Sequence, residues 1–141
     1  MVEKVDAELL EQEKGKIMGI LDALMGNASE ADASEINAEL SEVLADNEQV
    51  MHAYKMVRDL YVFTNKRMIA IDKQGVTGKK VDYLSIPYKS IVQFNVQTAG
   101  NFDTDCELKI WVSGQGKSID IEIKSKLAAD VQKTLANMMF A

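Results

Sequence analysis

Four kinds of chemistry have at least one residue of the right type in this chain. Hydrolysis by a side-chain nucleophile needs a base beside it, and the chain offers a single imidazole, His52, and a single thiol, Cys106. His52 lies in an alternating stretch with no Ser or Cys pattern aimed at it, and reads as structural. Cys106 alternates with Leu108 and Ile110 and reads as a small core residue. Asp103, Asp105 and Glu107 alternate near the start of an expected strand, an arrangement of oxygen donors that suits Ca²⁺ or Mg²⁺. They lack the glycine and spacing of an EF-hand loop, so solvated carboxylates are expected there and no metal. Two strings, GVTGKK at 75–80 and GQGKS at 114–118, bring glycine next to lysine as phosphate cradles do. A P-loop places Gly, four residues and Gly-Lys-Ser/Thr between a strand and a helix, whereas both strings fall between expected strands and read as hairpin turns.

The last chemistry is electrostatic. Lys66, Arg67, Lys79 and Lys80 gather in two turns at opposite ends of one expected strand, which spreads their charge instead of concentrating it. Nucleic acid calls for a basic domain, and a pI near 4.8 argues against it. These four residues are the candidates for an alternative role, contact with anionic lipid head groups. No base, nucleophile or metal cage assembles from the remaining residues. A non-catalytic protein without cofactor is the expectation.

The elements that hold these residues follow from periodicity. At 5–25, apolar residues recur at Leu10, Ile17, Leu21 and Leu24, the spacing of an amphipathic helix, with Gly26-Asn27 as its stop. A second helix is expected from a cap at Asp32 or Ser34 to about residue 46, carrying Ile36, Leu40, Val43 and Leu44 on one stripe. After Asn47 the period changes to two. Seven strands are expected at 49–57, 60–65, 67–73, 79–86, 90–98, 106–113 and 117–124, with Asn65-Lys66 as a short hairpin loop. Cys106, Leu108, Ile110 and Val112 share one face, as do Ile119, Ile121 and Ile123, the pattern of an antiparallel sheet buried on one side. A last helix, with Leu127, Val131, Leu135 and Met138 on one side and Ser125 as its cap, closes the chain. Short antiparallel strands remove their edges by curling, so a barrel with this helix in one open end is predicted.

The charge is divided as the periodicity is. Residues 1–48 carry 13 Asp/Glu against 3 Lys, and 49–141 carry 9 against 13 Lys/Arg. The expected division is therefore an acidic helical segment, 1–47, and a β domain with its terminal helix, 48–141. A cytoplasmic location is expected from the unpaired cysteine and from an acidic N-terminus without the layout of a secretory signal. Ile17, Met18, Ile20, Leu21, Leu24 and Met25 cover more helix surface than one contact with a small barrel needs. Ile17, Leu21, Leu24 and Met25 are the candidate interface residues, for a second copy of the chain or another protein, along with exposed edge-strand backbone.

At residue level GNASE (26–30), RDLYVFTNKR (58–67), DKQGVTGKK (72–80), SIPYKSI (85–91), TAGNFD (98–103) and ELKIW (107–111) resemble the bacterial pleckstrin-homology (PH) domain family. The resemblance runs from about residue 18 to the C-terminus. It implies a seven-stranded, partly open antiparallel barrel with a C-terminal helix, preceded by helices, and a tendency to assemble into homo-oligomeric rings. It implies no enzymatic activity. Eukaryotic relatives that bind phosphoinositides converge several cations on the first strand pair and its loop. The corresponding junction here, KMVRD at 55–59, holds two cations and a carboxylate.

Overall fold

The computed structural model describes residues 29–56, 59–74, 80–97 and 105–141. Two antiparallel sheets and two helices make up these residues. β1 (Ser29–Ala31), β2 (Val50–Lys55), β3 (Asp59–Thr64), β4 (Arg67–Gln74) and β5 (Lys80–Pro87) form a five-stranded meander in that order. β6 (Ile91–Gln97), β7 (Asp105–Val112) and β8 (Ile119–Lys124) form a three-stranded one. Helix α1 (Ala33–Glu39) follows β1 and helix α2 (Ala128–Met139) ends the chain.

The order of elements is that expected, with four differences. Among the described residues there are eight strands instead of seven, because residues 29–31 pair with β2, Glu30 opposite Tyr54 and Ala31 opposite Ala53. Three residues reading SEA have no strand pattern of their own; the open edge of β2 recruits them. The sheets do not close into a barrel, since among the described residues neither β5 nor β8 pairs with the other sheet. The second predicted helix is shorter. Asp32 caps it as expected, accepting from the amides of Ser34 and Glu35, but the helix stops at Glu39. Beyond it Glu48 accepts from the Ala45 amide and Asn37 accepts from the Val50 amide, contacts that bend residues 40–49 back toward β2. The predicted helix at 5–25 lies outside the described residues. Finally, a 3₁₀ turn at Ser125–Leu127 leads into α2, so Ser125 stands ahead of the helix, whose first residue is Ala128.

Two cores lie on either side of the five-stranded sheet. The inner one joins Tyr54, Phe63, Met68 and Ile86 to Leu108, Ile110 and Ile123 of the second sheet and to Val131 and Leu135 of α2. Tyr54 ties the helix down, its hydroxyl meeting Thr134 Oγ1 at 2.9 Å. The outer core packs Ile36 and Leu40 of α1 on Ala53, Leu60, Val62, Ile69 and Ile71. β3 is thus buried on both faces from Leu60 to Thr64. Lys55 shares the outer side with Leu60, its register partner, and is 1% exposed.

Candidate functional site

Among the described residues β5 is one edge of the five-stranded sheet and β8 one edge of the three-stranded sheet, and residues of both line an open seam. Two adjoining hollows occupy it. One, of about 290 Å³, is lined by Asp59, Tyr61, Asp72, Asp82, Asp120 and Glu122 among others. The other, of about 550 Å³, runs from Leu84 and Ile86 to Val112 and Ile119. Leu84 and Ile119 line both. Tyr83 and Leu84 on β5 remain 38% and 40% exposed, and Val92 on β6 64%.

The acidic end follows from register. The two-residue loop Asn65-Lys66 sets Phe63 opposite Met68 and therefore, four positions on, Asp59 opposite Asp72. The next ladder puts Asp72 opposite Asp82. Three aspartates thus form one row across β3, β4 and β5, on the inner face beyond the reach of the apolar core. Like charges directly opposite destabilise a strand pair. Burial, followed by hydrogen bonding and repulsion from Asp72, pushes Asp59 up to about 6. Tyr61 works in the opposite sense, donating to Asp59 Oδ2 at 3.1 Å. Its hydroxyl also lies 3.3 Å from the Glu122 carbonyl oxygen, across the seam on β8. Burial raises the Tyr61 phenol well above its ordinary range, so it stays protonated.

The predicted basic residues divide. Arg67 turns its guanidinium onto Glu48, Nε to Oε2 at 2.8 Å and Nη2 to Oε1 at 3.0 Å, and also donates to Ser85 Oγ and the Val43 carbonyl. Glu48 is nearly inaccessible. Burial alone would raise its carboxyl. Hydrogen bonds from Arg67, Thr64 and the Ala45 amide, with the guanidinium charge, outweigh burial and bring it down to about 2. Lys66, in the same turn, reaches the Asp46 carbonyl at 3.4 Å and is exposed. Lys80 is exposed at the start of β5, the far end of β4 from Lys66 and Arg67, as the sequence predicts. Lys79 and the interface candidates Ile17, Leu21, Leu24 and Met25 lie outside the described residues.

The other chemistry-bearing residues have structural partners. His52 Nδ1 meets Glu30 Oε1 at 3.3 Å beside the β1–β2 ladder. Cys106 is buried in the inner core, and burial pushes its thiol up. Asp105 pairs with Lys124 at 2.5 Å and Glu107 with Lys109 at 2.8 Å; Asp103 lies outside the described residues. The string at 114–118 is the β7–β8 turn, with Gly114 at φ 82°, and its companion at 75–80 is described only at Lys80. The described residues include no helix long and apolar enough to cross a membrane. Sequence reasoning did not single out the aspartate row. Its signal is arithmetic: once a two-residue loop at 65–66 is accepted, positions 59 and 72 are partners.

Residues 19–139 match the family model described as "Bacterial PH domain". The chain is 50% identical over 121 residues to the uncharacterized protein YjqA of Bacillus subtilis (strain 168), covering 84% of this chain and 97% of the relative. Two solved structures are also similar. A pleckstrin homology domain from Shewanella amazonensis SB2B is 60% identical, with a TM-score of 0.73, over 85% of this chain and 98% of that one. A DUF1696 family protein with a pleckstrin-homology domain, from Shewanella loihica PV-4, is 53% identical with a TM-score of 0.71, over 81% and 98%.

Proposed function

The chain belongs to the bacterial PH domain family, and from that membership and the open strand edges we propose a non-catalytic module that self-associates and engages other proteins. One observation carries the reading. Among the described residues β5 has an edge that no strand pairs, with Tyr83 and Leu84 exposed next to each other, and an edge of that kind takes an added strand by backbone hydrogen bonding. The apolar positions Ile17, Leu21, Leu24 and Met25 supply a second contact in the proposal, and a ring is the assembly it favours. The reading places the protein in the cytoplasm, where its single cysteine, Cys106, stays reduced. The bidentate bond of Arg67 to Glu48 favours protein over lipid as the partner, because it takes up one of the two cations of the 66–67 turn and leaves Lys66, whose ammonium reaches only the Asp46 carbonyl.

The test is the mass in solution by light scattering over a dilution series, with Leu84→Lys alongside. A mass that is a multiple of 15.7 kDa, and that Leu84→Lys lowers, is expected. A single-copy mass at every concentration overturns self-association. Flotation with anionic vesicles is expected to leave the protein unbound; salt-sensitive binding would favour the lipid reading instead.

A further inference from the structure

Tyr61 stands between two acceptors that belong to different sheets. Its neighbour on β3, Asp59, brings Oδ2 to 3.1 Å, and the Glu122 carbonyl of β8 brings its oxygen to 3.3 Å. A phenol has one proton to give. Both separations are longer than the 2.7–2.8 Å usual for O–H···O bonds, as two acceptors sharing one donor require. The acceptors are unequal. An ionised carboxylate draws a hydrogen bond roughly twice as strongly as a neutral carbonyl, so with Asp59 charged the proton stays within β3 and the link between sheets is lost. A protonated carboxyl is a much weaker acceptor. It also gains a hydrogen of its own to donate, to Asp72 or to the phenolic oxygen.

We propose that Asp59, Tyr61 and the Glu122 carbonyl form a proton-operated clasp: when Asp59 takes up a proton from solvent, the phenolic proton swings to Glu122 and fastens β3 to β8. One O–H bond forms, on Asp59, with a proton from solvent, and the Tyr61 O–H only rotates. Of the groups around Asp59, Asp72 and Glu122 favour uptake and the Tyr61 hydroxyl opposes it. Asp72 on β4 is its direct opposite, Asp82 on β5 is the next in the row, and Asp120 and Glu122 on β8 line the same hollow. Glu122 is itself held up by hydrogen bonding and repulsion from Asp105 on β7. The described lysines on β7 and β8 are engaged on other carboxylates, Lys109 with Glu107 and Asp120, and Lys124 with Asp105. With Asp59 pushed up to about 6, the clasp works in the mildly acidic to neutral range. Asp59 thereby stabilises the closed seam below its ordinary range near 3.8, and that contribution is lost as pH rises through about 6. Tyr61 acts here as a positioning residue that passes one group's protonation to another strand.

The test follows, in the full-length protein, the Asp59 carboxyl carbon by NMR between pH 5 and pH 8, together with amide protection on β8 corrected for the intrinsic exchange rate. Completing one hydrogen bond changes an opening equilibrium roughly fivefold, so protection at Ile121 and Ile123 is expected to fall about fivefold as Asp59 ionises, with the same midpoint. In Tyr61→Phe, Asp59 still titrates while β8 protection stays flat. In Asp59→Asn, β8 protection at pH 8 matches that of the unaltered protein at pH 5 and no longer changes. The clasp is refuted if wild-type protection is flat while Asp59 titrates, or if either variant keeps the wild-type pH response. Should Tyr61→Phe not fold, Asp59→Asn carries the test alone.

Discussion

The two sheets are made from similar residues and buried differently. Along β7 and β8 the alternation is regular, with Cys106, Leu108, Ile110, Ile121 and Ile123 inside while Glu107, Asp120 and Glu122 face solvent. β3 has no solvent face between Leu60 and Thr64, because α1 and the outer core cover the side that the three-stranded sheet would leave wet. A strand buried on both faces is locked from both, whereas one buried on a single face can move against its partner. β2 to β4 of the five-stranded sheet are therefore the frame, and the seam between β5 and β8 is where the proposed responses to pH and to another chain are located.

The sharpest way to break this comparison is truncation on each face in turn. Phe63→Ala in the inner core is expected to cost about 3–5 kcal/mol in denaturant unfolding and Leu60→Ala in the outer core about 2–5. On β7, Leu108→Ala is expected to cost about 2–5 kcal/mol but Glu107→Ala within about 0.5. A cheap Leu60→Ala would mean that the outer face is not core.

Removing the charge that anchors the 40–49 segment to the frame comes next. Glu48→Gln leaves Arg67 without its carboxylate and is expected to cost about 3 kcal/mol, at the low end for a broken buried pair because Arg67 is partly solvated. Glu48 is depressed to about 2 in the fold, so its contribution is complete above its ordinary value of 4.5 and is lost as pH falls from there toward 2. Acid titration of unfolding should show that limb in the wild type and lose it in Glu48→Gln.

Smaller effects separate the frame from its attachments. Tyr54→Phe removes the bond to Thr134 Oγ1 and is expected to cost about 1 kcal/mol, with faster amide exchange in α2 and unchanged exchange in β3. Lys55→Met tests the outer face with the opposite sign. Burial lowers the Lys55 ammonium, and its Nζ has no hydrogen-bond partner among the described residues. An apolar side chain of similar length should raise stability by up to about 1 kcal/mol, where a lysine on a wet face would be neutral.

What was legible in the chain depended on how local the cause was. The alternation of β7 and β8, the Asn65-Lys66 loop and the Asp32 cap arise from neighbouring residues, and each stands where its pattern puts it. β1 depends on the edge of β2, the early end of α1 on Asn37 and Glu48 reaching across turns, and the double burial of β3 on a packing partner, none of them local. The run Leu60, Tyr61, Val62, Phe63 carried a hint, since four apolar residues in succession leave no side for water. The aspartate row was implicit in the hairpin register, but its position at an unclosed seam required both sheets.

Amide hydrogen exchange in the associated protein tests the proposed use of the seam most directly. At a concentration where the mass exceeds one copy, the β5 amides that do not bond to β4 are expected to be protected, and to lose that protection on dilution while β3 stays protected. Those same β5 amides exchanging freely in the assembled state would contradict the account.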